Sequence, residues 1–418
     1  MRHRAWSPPV TSNTKLDITD PAVYEKGIPH AAFTQLRHEA PISKLLYADK
    51  PYWAVTRYRD LLTVTRDAFT YSSAKDFVNL WDLTDEAKAV RRSIIETDPP
   101  EHVRLRRLGM PAFTGHRVRS YEDATRAITV EVLQQALEKR DIDVVHAISA
   151  PIPIRVIVDI LGVPATDTDF MVQLSDELVD GVDLPADAYG NVTPLELLPF
   201  NSPASHALFE YAKDIGDQRR SDPHDDLVST LVHSRVDGDQ LTENEFANMF
   251  QVLVFAGNET TRTAISNGIQ QFMLHPDQLE LLYQNPDLVE NAVEEIIRYA
   301  TPVLHMRRTA TCDTVLAGVP ISNGDKVVIW YASANFDETV FANPLDFDIS
   351  RPVRPKQLAF GAQGPHHCLG APLARLEIRV LLEELMRRRI KFTANGEVVR
   401  TRSNFVNGIM KLPATIST

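Results

Sequence analysis

The chain of 418 residues has only two cysteines, Cys312 and Cys368. That excludes a disulfide framework, and each thiol must be judged singly. Nowhere do about 18 apolar residues run together, so no membrane-spanning helix is expected. The opening "MRHRAWSPPVTSNTKLD" carries charges but no apolar run, which gives no signal peptide or membrane anchor and points to a cytoplasmic protein. Positive charge is also short: 44 Lys and Arg against 56 Asp and Glu leave a net charge of −12. This opposes the concentrated basic face that nucleic acid requires, and leaves "RLRR" at 104 to 107 and "RRR" at 387 to 389 as local docking candidates. There is no Pro/Gly/Ser-rich linker, low-complexity tract or fixed-period repeat, so one domain over residues 1–418 is expected.

What is present is mostly helical pattern. Short helices at 31 to 40 and 59 to 68 flank the strand-like "ISKLLY" and "YWAVT", and further helices are expected at 117 to 139, 152 to 161 and 204 to 221. The clearest starts at Thr242, where Thr-Glu-Asn-Glu forms a capping box with Glu245 and nothing stops the helix before Pro276. A helix follows from Pro286 to Ala300, then β-like "TVLAGVPI" and "KVVIWY". The final "NFVNGIMKLPATI" reads as a hairpin turning at Asn407-Gly408. The fold class is mostly α with a minor β part.

The stretch "AFGAQGPHHCLGAPLAR", Ala359 to Arg375, gathers two histidines and a cysteine behind glycines and ahead of an apolar helix. Structural zinc needs four ligands, and the chain offers no second Cys-x-x-Cys or His-x-x-x-His. A catalytic cysteine at a helix start has a lowered thiol pKa, but adjacent residues rarely align for proton transfer. A third reading is a haem-thiolate site. Cys368 gives its sulfur to iron, Gly364, Gly370, Ala371 and Ala374 let backbone lie close to a flat macrocycle, and helix-start N–H groups face the sulfur.

Here the chain resembles the cytochrome P450 family, in order over nearly its whole length. Phe360, Gly364, His366, Cys368 and Gly370 match the cysteine loop, with one residue more between Phe360 and Cys368 than the commonest form. The resemblance implies the P450 fold with a long central helix crossing the haem, haem b as cofactor, and Cys368 as metal ligand. In "LVFAGNETTR", Ala256 and Gly257 spare room for dioxygen, and Glu259 with Thr260 resembles the acid-alcohol pair that relays protons. Phe360, Gly361, Gly370 and Ala256 are placed against the cofactor. His102, Arg106, Arg308 and His366 match positions that bind its propionates, with Arg307 a competitor for the place given to Arg308. His367 receives no role. Glu295 and Arg298 resemble the family's buried ion pair, with Arg351 as third member, holding the cysteine loop.

The resemblance implies a monooxygenase that hydroxylates a hydrophobic small molecule, a terpenoid, steroid or branched lipid. O2 is the co-substrate, and two electrons come from an external ferredoxin fed by a ferredoxin reductase. A monomer is expected. Pocket walls by correspondence are Phe77, Val78, Leu80, Trp81, Val252, Ala256, Val303, Leu304, Phe405 and Val406, and the non-periodic stretch 178 to 205 lies where the family has a mobile lid. The alternatives are a non-catalytic haem-thiolate ligand sensor, against which stands the lack of any signalling module, and a peroxide-driven peroxygenase, against which stands Glu259-Thr260.

Overall fold

A computed structural model describes residues 17–76, 78–82, 92–180 and 203–418. The capping box forms as the sequence predicts. Thr242 Oγ1 accepts the Glu245 N–H at 3.3 Å and the Glu245 carboxylate accepts the Thr242 N–H at 2.8 Å. The central helix then runs Glu243–Leu274 and stops at His275, ahead of Pro276. It is buried along most of its length, through Phe246, Phe250, Val254, Ile265, Ile269 and Phe272. Helices Pro151–Leu161, Pro203–Ser221 and Val289–Ala300 pack against it. It forms the axis of the largest core cluster.

The β part centres on a five-stranded sheet of β1 (Ile42–Tyr47), β2 (Lys50–Val55), β3 (Tyr71–Ser72), β4 (His305–Ala310) and β5 (Lys326–Trp330), in the order β1-β2-β5-β4-β3. All pairs are antiparallel except β2 with β5. Strand alternation divides β4 between two faces: Met306 and Arg308 lie on one, His305, Arg307 and Thr309 on the other. "TVLAGVPI" folds as the small hairpin Thr314–Leu316 with Val319–Ile321. Its turn residues Ala317 and Gly318 both have positive φ, +47° and +87°, as a primed two-residue turn requires.

The end of the chain differs from the expected Asn-Gly hairpin. Ile409–Lys411 pairs with Val399–Arg400, while Pro413–Ser417 pairs with Asp141–Asp143 and Lys391–Ala394. Neither Asn407 nor Gly408 has the positive φ of a primed turn. Asn407 is held by tertiary bonds instead: its N–H reaches Pro302 O at 3.0 Å, its side-chain amide reaches Ala300 O at 2.6 Å, and its carbonyl accepts from Asn267 at 3.1 Å. Those bonds fix it as a tie between the central helix and the end of Val289–Ala300. Gly408 is required for close approach, because a β-carbon there would lie 2.4 Å from Thr401 Oγ1.

Candidate active site

The cysteine helix Ala371–Arg388 starts directly after the loop 359 to 370. The loop closes on itself where the Cys368 N–H donates to Phe360 O at 2.9 Å and the Gly361 N–H to Leu358 O at 2.9 Å. Gly361 sits at φ +70°, a conformation a side chain would strain. Gly364 packs on the end of the helix Tyr58–Arg66, where a β-carbon would come within 2.0 Å of Thr65 O. Gln363 accepts from Arg66 at 3.0 Å. The stretch from Phe360 to Cys368 is thus seated against this neighbouring helix. His367, to which the sequence assigned nothing, donates from Nδ1 to the Gly361 carbonyl at 2.9 Å and braces the loop. Arg375 lies over the Phe360 ring, 4.5 Å from its centroid.

Behind the loop lies the ion-pair centre. Arg298 meets Glu295 with two bonds, 2.7 and 2.8 Å, and Arg351 reaches the same carboxylate at 3.0 Å. Both charges of the Glu295–Arg298 pair are buried. Arg298 also donates to the carbonyls of Asn335 at 2.8 Å and Pro344 at 2.9 Å, and Asn335 Oδ1 accepts the Leu358 N–H at 2.7 Å. The pair is therefore joined to the root of the cysteine loop through one asparagine. No motif signals Asn335 in a single sequence.

Between the cysteine loop and the central helix lies a cavity of about 260 Å³. Cys368 and Gly370 border it on one side and Ala256, Gly257 and Thr260 on the other. Cys368 is exposed to this space. Burial pushes its thiol up, and the N–H groups of Gly370 and Ala371, with Arg106 and Arg375, oppose that shift. These are donors arranged for a thiolate. Thr260 Oγ1 donates to Ala256 O at 2.8 Å within the helix. At Gly257 a β-carbon would lie 3.5 Å from Ile157, an ordinary contact, so packing does not itself demand glycine.

One edge of the cavity is cationic. His102 and Arg106, one turn apart on the helix Glu101–Gly109, meet Arg308 of β4 and His366 of the loop. The His102 and His366 rings are 4.0 Å apart. Burial, then the Arg106 guanidinium, holds His102 at about pKa 4, and burial with Arg308 and His102 holds His366 lower still. His102 Nδ1 and His366 Nε2 are buried polar atoms with no protein partner. Two such nitrogens beside two arginines suit a pair of carboxylates, the donor set that haem propionates need. Arg307, the competitor for Arg308, lies on the opposite face of the sheet and binds Asp82 at 2.6 Å and Asp76 at 3.1 Å.

Several residues lie elsewhere than expected. Glu259 does not border the cavity. Its carboxylate pairs with Arg262 at 2.5 Å and accepts from Thr263 at 3.2 Å, because the helical turn aims it toward Gly408. Of the pocket walls, Val252, Ala256 and Val303 border the cavity; Val78, Leu80, Trp81, Leu304, Phe405 and Val406 do not. Leu80 and Leu304 belong to the core cluster beyond the sheet, and Val303 alone of its pair turns to the cavity. Phe77 and nearly all of 178 to 205 lie outside the described residues. Glu377, on the cysteine helix, was missed: it borders the cavity, is buried, and has its carboxyl pushed well up by burial. Apart from Arg106, which borders the cavity, both basic tracts are charge-paired: Arg104 with Glu245 and Asp239, Arg107 with Asp237, Arg387 and Arg388 with Glu384, and Arg389 with Glu280.

A mostly helical fold with a thiol loop facing a long central helix across an apolar cavity defines a haem-thiolate enzyme. The family model for cytochrome P450 matches residues 19–417, and the chain belongs to that family. It is a cytochrome P450 monooxygenase with haem as cofactor. It is 37% identical over 397 residues to the methyl-branched lipid omega-hydroxylase of Mycobacterium tuberculosis (strain ATCC 25618 / H37Rv), covering 92% of this chain and 90% of that one. To the steroid C26-monooxygenase of Rhodococcus jostii (strain RHA1) it is 35% identical over 413 residues, covering 96% and 85%. Among solved structures, a Mycobacterium marinum cytochrome P450 in complex with pseudoionone superposes with a TM-score of 0.86 at 32% identity, over 99% of this chain and 100% of that one. No helix among the described residues is long and apolar enough to cross a membrane.

Proposed function

We propose that this monooxygenase hydroxylates a terpenoid, steroid or methyl-branched lipid, with electrons from a ferredoxin and its reductase, in the cytoplasm. The observation that carries the substrate class is the cavity wall: Ile157, Val252, Leu253, Val303 and Met306 offer apolar surface, and the arginines gather at the propionate edge. The relatives named for methyl-branched lipid and steroid oxidation support the same class.

Bound haem with a thiolate ligand supplies the oxygen chemistry: one atom of O2 enters a C–H bond, and two electrons and two protons carry the other to water. Cys368 would hold the metal, and the Gly370 and Ala371 N–H groups would stabilise the charge on its sulfur. His102, Arg106, Arg308 and His366 would hold the propionates. Thr260 places a hydroxyl on the cavity wall, where it can pass a proton inward. Glu259, one residue away, is paired with Arg262 and would have to leave it to join the relay. The apolar wall excludes bulk water from the reacting C–H bond.

The test is a spectral binding screen on the haem-loaded protein. Terpenes, steroids and branched fatty acids should produce the low-to-high-spin shift at micromolar concentrations. Sugars and amino acids should not. A shift with polar ligands only would overturn the substrate class.

A further inference from the structure

We propose that Arg307 and Lys326, meeting on Asp82, are positioning residues for the substrate chamber. They clasp residues 78–82 to the sheet face turned away from the cavity and so fix where Trp81 meets the chain segment behind the cavity wall. The inference rests on the cavity being that chamber.

The clasp is built from adjacent strands. Arg307 on β4 and Lys326 on β5 are both buried. Arg307 reaches Asp82 at 2.6 Å and Asp76 at 3.1 Å, and Lys326 reaches the same oxygen of Asp82 at 2.9 Å. Lys50 takes the other oxygen at 3.1 Å, and Thr309 donates to Asp76 at 3.1 Å. Together Lys326, Lys50 and Arg307 hold the Asp82 carboxyl far below the usual carboxylate range against its partial burial. The cations also hold main chain. The Arg307 N–H donates to Val78 O at 2.6 Å, its guanidinium to Trp81 O at 3.4 Å, and Lys326 Nζ to Leu80 O at 2.9 Å. Residues 78–82 have no helix or strand, and every main-chain hydrogen bond described for them comes from Arg307 or Lys326.

Two buried cations are a poor way to stabilise a sheet face, since their desolvation offsets the Coulomb gain and apolar residues of like size would pack as well. What charge achieves here is to fix an irregular segment at one place. That place matters because the Trp81 ring meets Phe405 edge-on, centroids 6.3 Å apart. Phe405 O accepts the Leu304 N–H at 2.8 Å, and Val406 bridges to Val303, which borders the cavity. A contiguous path therefore runs from Asp82 to the chamber wall.

The test uses haem-loaded full chain, Asp82→Asn, Arg307→Gln and the double variant. Two iron-binding probes are titrated by absorbance: imidazole, which needs little room, and 4-phenylimidazole, whose phenyl ring needs room in the chamber. Hydrogen exchange is followed over 78–82. Each single variant should speed that exchange and weaken 4-phenylimidazole about tenfold while sparing imidazole, and the double variant should be no weaker than Arg307→Gln. Faster exchange with unchanged 4-phenylimidazole binding would overturn the proposal, as would equal loss of both probes or additive effects. Should Arg307→Gln fail to fold, Asp82→Asn, at a partly exposed carboxylate, decides alone. Failure of the chamber reading shows separately, in the unmutated protein, as apolar ligands that displace neither probe.

Discussion

Arg298 donates to the main-chain oxygen of Asn335 at 2.8 Å, and the side chain of that asparagine receives the Leu358 N–H at 2.7 Å. A buried guanidinium that looks like part of a helix therefore sets the start of the cysteine loop. Arg298→Lys keeps the charge but not the planar fork that serves Glu295 and the carbonyls together. Breaking such a buried centre costs about 3–5 kcal/mol. The expected result is a protein with lower Tm and little bound haem, read by thermal melting and by Soret absorbance per chain.

Gly364→Ala tests the seat of the loop. Its β-carbon would meet Thr65 O at 2.0 Å, and backbone cannot yield as a side-chain end can. Overpacking of this kind costs about 1–3 kcal/mol. Haem affinity should fall with stability, measured by transfer of haem to an acceptor protein.

Cys368→Ser replaces the sulfur while leaving the loop's hydrogen bonds in place. The reduced carbon monoxide complex should lose the red-shifted Soret band that marks thiolate ligation. Survival of that band would move the ligand elsewhere.

Thr260→Ala removes the hydroxyl on the cavity wall. Product per electron pair should fall by about tenfold or more while substrate binding holds, with the electrons appearing as hydrogen peroxide. Unchanged coupling would take Thr260 out of the proton path.

His305 is fully buried between Trp330 and Phe405, with Nδ1 donating to Asn404 O at 3.0 Å and Nε2 unpartnered. Burial lowers its pKa from 6.5 to about 4. The unfolded chain takes up a proton in that window that the folded chain refuses, so stability falls as pH drops from 6.5 to 4, by roughly 3 kcal/mol at full effect. His305→Gln should remove its share of this acid loss, leaving that of His30, His102 and His366, seen in urea midpoints compared at pH 7 and pH 4.5.

Much of this was legible in the sequence where local chemistry decides. Thr242 and Glu245 announce their helix, and Cys368 with its glycines announces its loop. Strand alternation in "HMRRTA" separates Arg308 from Arg307 once β4 is known to be a strand, but the sequence left the two in competition. Asn407-Gly408 misled because its tertiary bonds outweigh turn propensity. Glu259 and the pocket walls other than Val252, Ala256 and Val303 were misplaced for a related reason: motif position gives the helix turn, and only packing gives the direction of a side chain. His367, Asn335 and Glu377 carry no pattern visible in one chain.

The pairing of Arg104 and Arg107 with Asp237, Asp239 and Glu245 has a kinetic consequence. Beside those pairs, Phe69 and Val103 stand 79% and 44% exposed in the same surface groove. An electron carrier that docked in this groove would find compensated charge and apolar contact. Its association rate would rise little in dilute buffer and fall little in salt, so that encounter would be set by fit and diffusion rather than by long-range attraction.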